Sequence, residues 1–180
     1  MVPRCGFKEH PMRTTLTPLL CGMALATSLG GAQAAGSVVL SWQEPTRYAD
    51  AGRDVADRER TLQILGEHIQ SLRAKLPDGL ELQVEVLDLD LAGDLRTWRD
   101  LGAWGAWGGD QIRVLGGAAD GPRMRLRYVL QAPGRSLASG EAVLSDMGYL
   151  FKQRDGALAY EKRMLDRWFE RSIQPHLPRP

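Results

Sequence analysis

The sequence predicts an α+β fold: an antiparallel sheet of about five strands with two helices packed on one face, in the order β-α-β-β-β-β-α. Two observations support this prediction. Apolar and polar residues alternate strictly at residues 80–86 and 123–130, as they do in half-buried strands. Apolar residues spaced three and four apart at residues 62–76 indicate a helix with one buried face.

The first strand and the first helix precede residue 80. Residues 38–42 are rich in β-branched and aromatic side chains, and Pro45 ends this strand. The helical stripe consists of Leu62, Leu65, Ile69, Leu72 and Leu76. The turn sequence at residues 77–79 cannot continue the helix. We expect the helix to lie against the sheet that begins directly after it.

The strand that begins at Leu80 changes phase near its end. Its apolar residues have even numbers up to Val86 and odd numbers from Leu87 onwards, while Asp88 and Asp90 take the formerly apolar side. A β-bulge, a strand that leaves the sheet, or cover on both faces would accommodate this change.

Three further strands and a helix complete the predicted fold. Residues 94–110 carry tryptophans and glycines in an irregular pattern, which predicts a long loop with a helical turn at residues 95–101 as its only regular structure. The strands follow at residues 111–115, 123–130 and 136–144. Their short connections predict an antiparallel meander. The last helix spans about residues 157–173, and a short tail containing prolines follows it.

Residues 1–34 have the form of a cleavable signal peptide. A basic start leads into an apolar run from Leu16 to Leu29 and then into the small-residue triplet at residues 32–34, so we expect cleavage before Ala35 and a periplasmic location. A start at Met12 would give a signal of more ordinary length. An uncleaved anchor helix is the alternative, but the apolar run is shorter than the roughly 20 residues that span a bilayer.

The two cysteines, Cys5 and Cys21, both lie in this signal segment. The residue before Cys21 is Leu20, where a lipid-attachment site requires a small side chain, so we do not predict a lipoprotein. The remaining single domain, residues 35–180, has no disulfide or thiol chemistry and depends on its hydrophobic core.

Charge excludes one class of function. Cleavage would remove three of the 23 basic residues and one of the 22 acidic residues, which leaves a net charge of about −1. A nucleic-acid-binding domain would need an excess of basic residues to neutralise phosphates. We therefore predict no nucleic-acid partner. We also predict no transmembrane span after signal removal.

Several short stretches, in this order and spacing, resemble DUF3016, a family of exported bacterial proteins of unknown function. They are SWQEPTRYAD at residues 41–50, LPDGLEL at 76–82, DLDLAG at 88–93, GEAVLSDM at 140–147 and AYEKRMLDRWF at 159–169. DLDLAG and YEKRMLxxWF are the most specific. The resemblance covers nearly all of residues 42–169, and residues 98–109 depart from the pattern. It implies an exported, cysteine-poor envelope protein with one α+β domain and no particular activity.

Three aspartates are weak candidates for a metal site. They are Asp88, Asp90 and Asp94. Together with Gly93 they partly match a calcium loop, but Arg99 stands where that loop has a bidentate glutamate. Asp50 or Asp146 could complete a site. Alternatively, these carboxylates accept backbone N–H groups or pair with arginines at the end of the strand.

An enzyme would need a recognisable catalytic constellation. Two carboxylates could act as acid and base, as in glycoside hydrolysis, or could couple to His68. His68 flanks the helical stripe, which is typical of a structural histidine. Nucleophile-elbow, zinc-protease and P-loop motifs do not occur. We predict neither an enzyme nor a cofactor, and a metal- or carboxylate-dependent periplasmic hydrolase using Asp88 and Asp90 is the alternative.

Two groups of residues are candidates for partner binding. The first is Arg123, Arg125 and Arg127, and the second is Trp98, Trp104 and Trp107. The arginines could bind an anionic lipid or an acidic protein surface, or they could pair with Glu81 and Glu85 across the sheet. The tryptophans either fold back over the sheet or stand exposed as anchors for a sugar or a protein.

These observations favour a non-enzymatic periplasmic module that binds another component of the cell envelope, whether protein, lipid or glycan. The binding surface would be the tryptophan loop, an exposed sheet edge or the DLDLAG corner.

Overall fold

A computed structural model describes residues 35–97, 111–116, 120–151 and 156–178. These ranges contain the strands β1 (Ser37–Trp42), β2 (Glu81–Asp90), β3 (Asp94–Thr97), β4 (Gln111–Val114), β5 (Arg123–Ala132) and β6 (Arg135–Ser145), and the helices α1 (Val55–Ser71) and α2 (Ala159–Trp168). A 3₁₀ turn at Leu72–Lys75 follows α1, and a π-helical turn at Phe169–Ile173 follows α2.

The main sheet has four strands in the order β1-β2-β5-β6. β2, β5 and β6 pair antiparallel, as predicted, whereas β1 pairs parallel with β2. The prediction of a purely antiparallel sheet was therefore wrong. α1 returns the chain from the end of β1 to the end of the sheet at which β1 begins. β2 therefore runs in the same direction as β1.

β3 and β4 form a separate two-stranded antiparallel sheet. The loop prediction was wrong for residues 94–97, and the main sheet does not contain the strand predicted at residues 111–115. A four-residue strand is too short to show a recognisable alternation, and the sequence pattern does not reveal its pairing partner. The rest of the predicted loop, residues 98–110, lies outside the described residues.

The change of phase in β2 is a β-bulge. β2 and β5 pair in one register up to Val86 and in a second register from Asp88 onwards. The extra residue, Leu87, lets the completely buried Leu89 stay on the core face, while Asp90 remains on the outer face. This confirms the first of the three explanations that the sequence allowed.

Both helices pack against one face of the main sheet, as predicted. The core combines one face of β1, β2 and β5 with Leu65 and Ile69 of α1 and Met164, Leu165 and Trp168 of α2. The opposite face carries the arginines of β5 and, within the described residues, no helix covers it. The fold is thus a two-layer sandwich with one open sheet face.

In the part of the chain that the structure describes, no helix has the combination of length and apolar character needed to cross a bilayer.

Candidate functional site

β6 is an outer strand of the main sheet. It pairs with β5 along one edge, and no strand within the described residues pairs with its other edge. β6 is 11 residues long and contains no lysine or proline, which commonly block exposed strand edges. Val143, near its end, exposes 76% of its surface. β6 therefore offers backbone N–H and C=O groups for pairing with another chain.

A groove of about 420 Å³ lies between this edge and α2. Its lining residues are Ala142, Val143, Leu144 and Ser145 of β6, and Met164, Arg167, Trp168, Arg171 and Ser172 of the helical segment. Small residues on the helix-facing side of β6 leave room for it. Gly140 lies opposite Tyr128 in the register, and a Cβ atom at Gly140 would approach the Tyr128 hydroxyl oxygen to 3.3 Å.

The groove carries positive charge. Arg167 donates to Asp146, with 2.8 Å between Nη2 and Oδ2. Arg171 is exposed and forms no ion pair with any described residue. Arg171 therefore adds a guanidinium group that no described carboxylate neutralises, which leaves the groove suited to an anionic group.

Trp168 forms the apolar wall of the groove. Its ring packs edge-on against Tyr128, with 5.6 Å between the ring centroids, and only 4% of the residue is exposed. Its indole Nε1 is buried and has no hydrogen-bond partner among the described residues. A buried donor without a partner normally lowers stability, so Trp168 packs here despite its N–H group.

A buried ion cluster holds α2 against the end of β6. Asp146, which follows β6, is 5% exposed and accepts hydrogen bonds from Arg163 and Arg167. Arg163 is 7% exposed, and its Nε and Nη1 atoms have no partner within the described part of the chain. The cluster fixes the position of Arg167, and thereby one side of the groove.

Residues from the separate stretches that carry the family resemblance contact one another. Asp146 and Arg163 join GEAVLSDM to AYEKRMLDRWF, as described above. The buried carboxylate of Glu161 accepts a hydrogen bond from the backbone N–H of Ala92 at 2.9 Å, which joins the last helix to DLDLAG. Asp50, the last residue of SWQEPTRYAD, pairs by its backbone with residues 89 and 91. Contacts between these stretches therefore connect the ends of β2 and β6 to α2, and the end of β2 to the segment before α1.

The aspartates proposed for a metal site take different roles. The Asp88 carboxylate accepts backbone N–H groups of Ala49 at 3.0 Å and Leu89 at 2.9 Å, in agreement with the structural alternative. Asp94 is exposed and pairs with Arg96. Asp50 forms a bidentate pair with Arg113, at 2.8 and 3.0 Å. No group of three acidic, histidine or cysteine side chains within the described residues could hold a metal ion.

Asp90 carries a charge that the fold disfavours. The pKa of Asp90 lies above its ordinary value of 3.8. Burial is the largest cause, and repulsion from the Asp50 carboxylate is the second. The positive charges of Arg123 and Arg113 lower this pKa but only partly offset the rise. The native state therefore carries a cost at every pH where Asp90 is ionised.

We expect Asp90→Asn to raise the melting temperature at pH 7. The gain should be present above the folded-state pKa, should shrink as the pH falls through it, and should disappear below 3.8, where Asp90 is protonated in the folded and unfolded states. Thermal unfolding at several pH values measures this difference. Asp94→Asn, at an exposed position, is the control and should change little. A melting temperature that falls at pH 7 would contradict the prediction.

The arginines of β5 lie on the open sheet face. Arg127 pairs with Glu85 at 2.6 Å and approaches Glu141 at 3.9 Å, and Arg125 also lies 3.9 Å from Glu141. Arg123 lies opposite Asp90 in the register. Glu81 instead accepts a hydrogen bond from Gln83. Most of the charge on this face is thus balanced within the sheet. This agrees with the alternative that the arginines pair with glutamates across the sheet, although Glu85 and Glu141 are the partners and Glu81 is not.

The remaining candidates do not form a site in the described residues. Trp98, Trp104 and Trp107 lie outside them. Nε2 of His68 is 3.3 Å from the Asp166 carboxylate, between α1 and α2, and only 20% of the His68 side chain is exposed. This position at the helix–helix contact is that of a structural histidine.

The sequence interpretation missed the groove, although part of its signal was present. Arg163, Arg167 and Arg171 recur every four residues in the last helical segment, which places them along one side of it. Ala138, Gly140 and Ala142 alternate along the strand predicted at residues 136–144, so one of its faces has only small side chains. What the pattern could not show was that these two surfaces face each other beside a free sheet edge.

Comparisons with known proteins identify a family and nothing further. A family model described as "Protein of unknown function (DUF3016)" matches residues 36–171, which confirms the resemblance seen in the sequence. No curated protein matches the chain, and no solved structure matches it.

Proposed function

The chain belongs to the DUF3016 family, and because that family's description assigns no activity, we propose from the geometry that it is a non-enzymatic binding module of the cell envelope. Its ligand is an extended, acidic segment of another envelope protein. The segment adds to the free edge of β6, and its acidic side chains lie in the groove beside α2.

The free edge of β6 beside a cationic groove is the observation that carries this proposal. A strand that joins an exposed edge gains backbone hydrogen bonds, while alternate side chains enter pockets on one face of the sheet. On the helix side, those pockets are the groove at Ala142 and Trp168. On the open side, the exposed Val143 offers an apolar contact.

Charge selects the kind of segment. Arg171 has no ion partner among the described residues, and Arg167 shares Asp146 with Arg163. A glutamate or aspartate on the added strand would therefore meet two guanidinium donors. A basic segment would meet repulsion at the same place, so the groove discriminates as well as binds.

The proposed location rests on the N-terminal sequence. The basic start, the apolar run and the Ala32-Gln33-Ala34 triplet have the form of an export signal. The mature chain would have no cysteine and would need no disulfide in an oxidising compartment. Export would place the β6 edge among envelope proteins.

Selection from a random peptide library, displayed on phage, tests the proposal without a known partner. We expect the mature chain to enrich peptides with acidic residues at alternate positions. A selected peptide should cause amide chemical-shift changes centred on residues 137–145. Arg171→Glu should weaken its binding by roughly five- to thirtyfold, which corresponds to about 1–2 kcal/mol for reversal of a partly exposed charge.

Arg73→Glu makes the same change in net charge at an exposed position outside the groove, and it should leave the affinity unchanged. Ala142→Phe should block the groove while Arg171 is retained. Enrichment of peptides without acidic residues, or an affinity that Arg171→Glu does not alter, would contradict the proposal. Concentration-dependent dimerisation through β6 would instead identify a second copy of the chain as the occupant.

A further inference from the structure

A second cavity, of about 430 Å³, lies at the N-terminal half of α1. Its volume falls in the range of about 300–1,000 Å³ that is common for small-molecule sites. Its aliphatic lining consists of Ile64, Leu91, Leu95, Ile112 and Leu158. These side chains come from α1, the residue after β2, β3, β4 and the residue before α2, so five segments contribute apolar surface.

Three arginines also line this cavity, but they are not equivalent. Arg113 binds Asp50 in a bidentate pair and also donates to the carbonyl of Gly93 at 2.9 Å. Arg53 pairs with Asp57 at 2.6 Å. Arg60 is exposed, and its side chain forms no ion pair or hydrogen bond with another described residue, although its charge helps to lower the pKa of Asp57, which Arg53 already pairs. Arg60 is thus the guanidinium group that remains available to a ligand.

One wall of the cavity contains an unusual backbone conformation. Leu158 has φ of 54° and ψ of 36°, in the left-handed region that a leucine rarely adopts. Such a conformation persists only where the surrounding structure enforces it, and it occurs preferentially at binding sites. Leu158 directly precedes α2 and also packs against the core.

We propose that this cavity binds a single-chain anionic amphiphile. An unbranched acyl chain would lie among the aliphatic residues, and its carboxylate would bind Arg60 at the mouth. An apolar chain matches the five aliphatic side chains, and the charge of Arg60 favours an anionic end. The site is independent of the β6 groove, because the two cavities share no lining residue.

Isothermal titration with saturated fatty acids of increasing length, each below its micelle concentration, tests this proposal. Each added pair of methylenes should tighten the dissociation constant by roughly fifteenfold until the cavity is filled. The methyl ester of the same acid should bind more weakly than the acid. Arg60→Glu should abolish that preference, whereas Arg73→Glu should preserve it.

Ala157→Trp provides a second test. Ala157 is an exposed lining residue, so a tryptophan there can obstruct the cavity without replacing a core side chain. This variant should lose binding of every chain length at an unchanged melting temperature. Absence of binding by the wild-type chain, an affinity that does not depend on chain length, or undiminished binding by Ala157→Trp would overturn the proposal.

Discussion

Replacement of Asp146 by alanine is expected to lower the free energy of unfolding by about 3–5 kcal/mol, the cost typical of removing one partner from a buried ion pair. The change leaves Arg163 charged at a site where only 7% of the residue is exposed. Water cannot replace the lost carboxylate there without opening the contact between α2 and the end of β6. Urea unfolding measures the loss, and an unchanged dependence on urea concentration would show that the unfolding transition is otherwise the same.

The pH dependence of this effect follows from the pKa of Asp146. Burial by itself raises that pKa, but hydrogen bonds from Arg163 and Arg167 outweigh burial and hold it below its ordinary value of 3.8. A depressed pKa stabilises the folded state fully above the ordinary value, and this stabilisation is lost as the pH falls through the folded-state pKa. The difference between wild type and Asp146→Ala should therefore be constant at neutral pH and shrink below 3.8.

Two further variants test whether the loss of stability comes from leaving Arg163 buried without a partner or from removing any carboxylate. Asp166→Ala removes a carboxylate that is 36% exposed, pairs with Lys75 and lies 3.3 Å from Nε2 of His68, so it should cost only about 0–1 kcal/mol. The double variant Asp146→Leu with Arg163→Met removes both buried charges and should recover most of the stability that the single change loses. If Asp146→Ala lowers the free energy of unfolding by less than Asp166→Ala does, Asp146 does not stabilise a buried ion cluster.

Much of the fold follows from local patterns in the sequence. Alternation located β2 and β5, and the change of phase at Leu87 correctly indicated a bulge as one of three possibilities. The parallel pairing of β1 was deducible as well, because a strand, a helix of 17 residues and a second strand form a crossover unit. The pairing of β3 with β4 was not deducible, since each strand has only four residues.

The candidate site was less predictable because it depends on tertiary placement. Each of its parts has a visible signature: small residues in β6, and arginines four residues apart in the last helix. Nothing local shows that Asp146 neutralises Arg163 and leaves Arg171 available. Conversely, Asp88 and Asp94 resembled a calcium loop only by spacing, and the β-bulge and the neighbouring arginines determine what their carboxylates contact.

Replacement of Trp168 by alanine is expected to cost about 3–5 kcal/mol, whereas Trp168→Phe should cost less than about 1.5 kcal/mol. Alanine removes the ring that packs on Tyr128 and enlarges the groove into a cavity. Phenylalanine keeps most of that packing and removes an indole N–H that has no hydrogen-bond partner among the described residues, so little stabilisation is lost with it. Thermal and urea unfolding of both variants measure the contrast.

Trp42, in β1, is the matched control for this contrast. It is only half-buried against the same core, so Trp42→Ala should cost less than Trp168→Ala. Equal losses for Trp168→Phe and Trp168→Ala would contradict this expectation, because the phenyl ring would then replace none of the stabilisation that the indole provides. Because Trp168 supports both the core and the groove, the phenylalanine variant is the one to use in binding experiments. It changes the polarity of the wall while the fold remains stable.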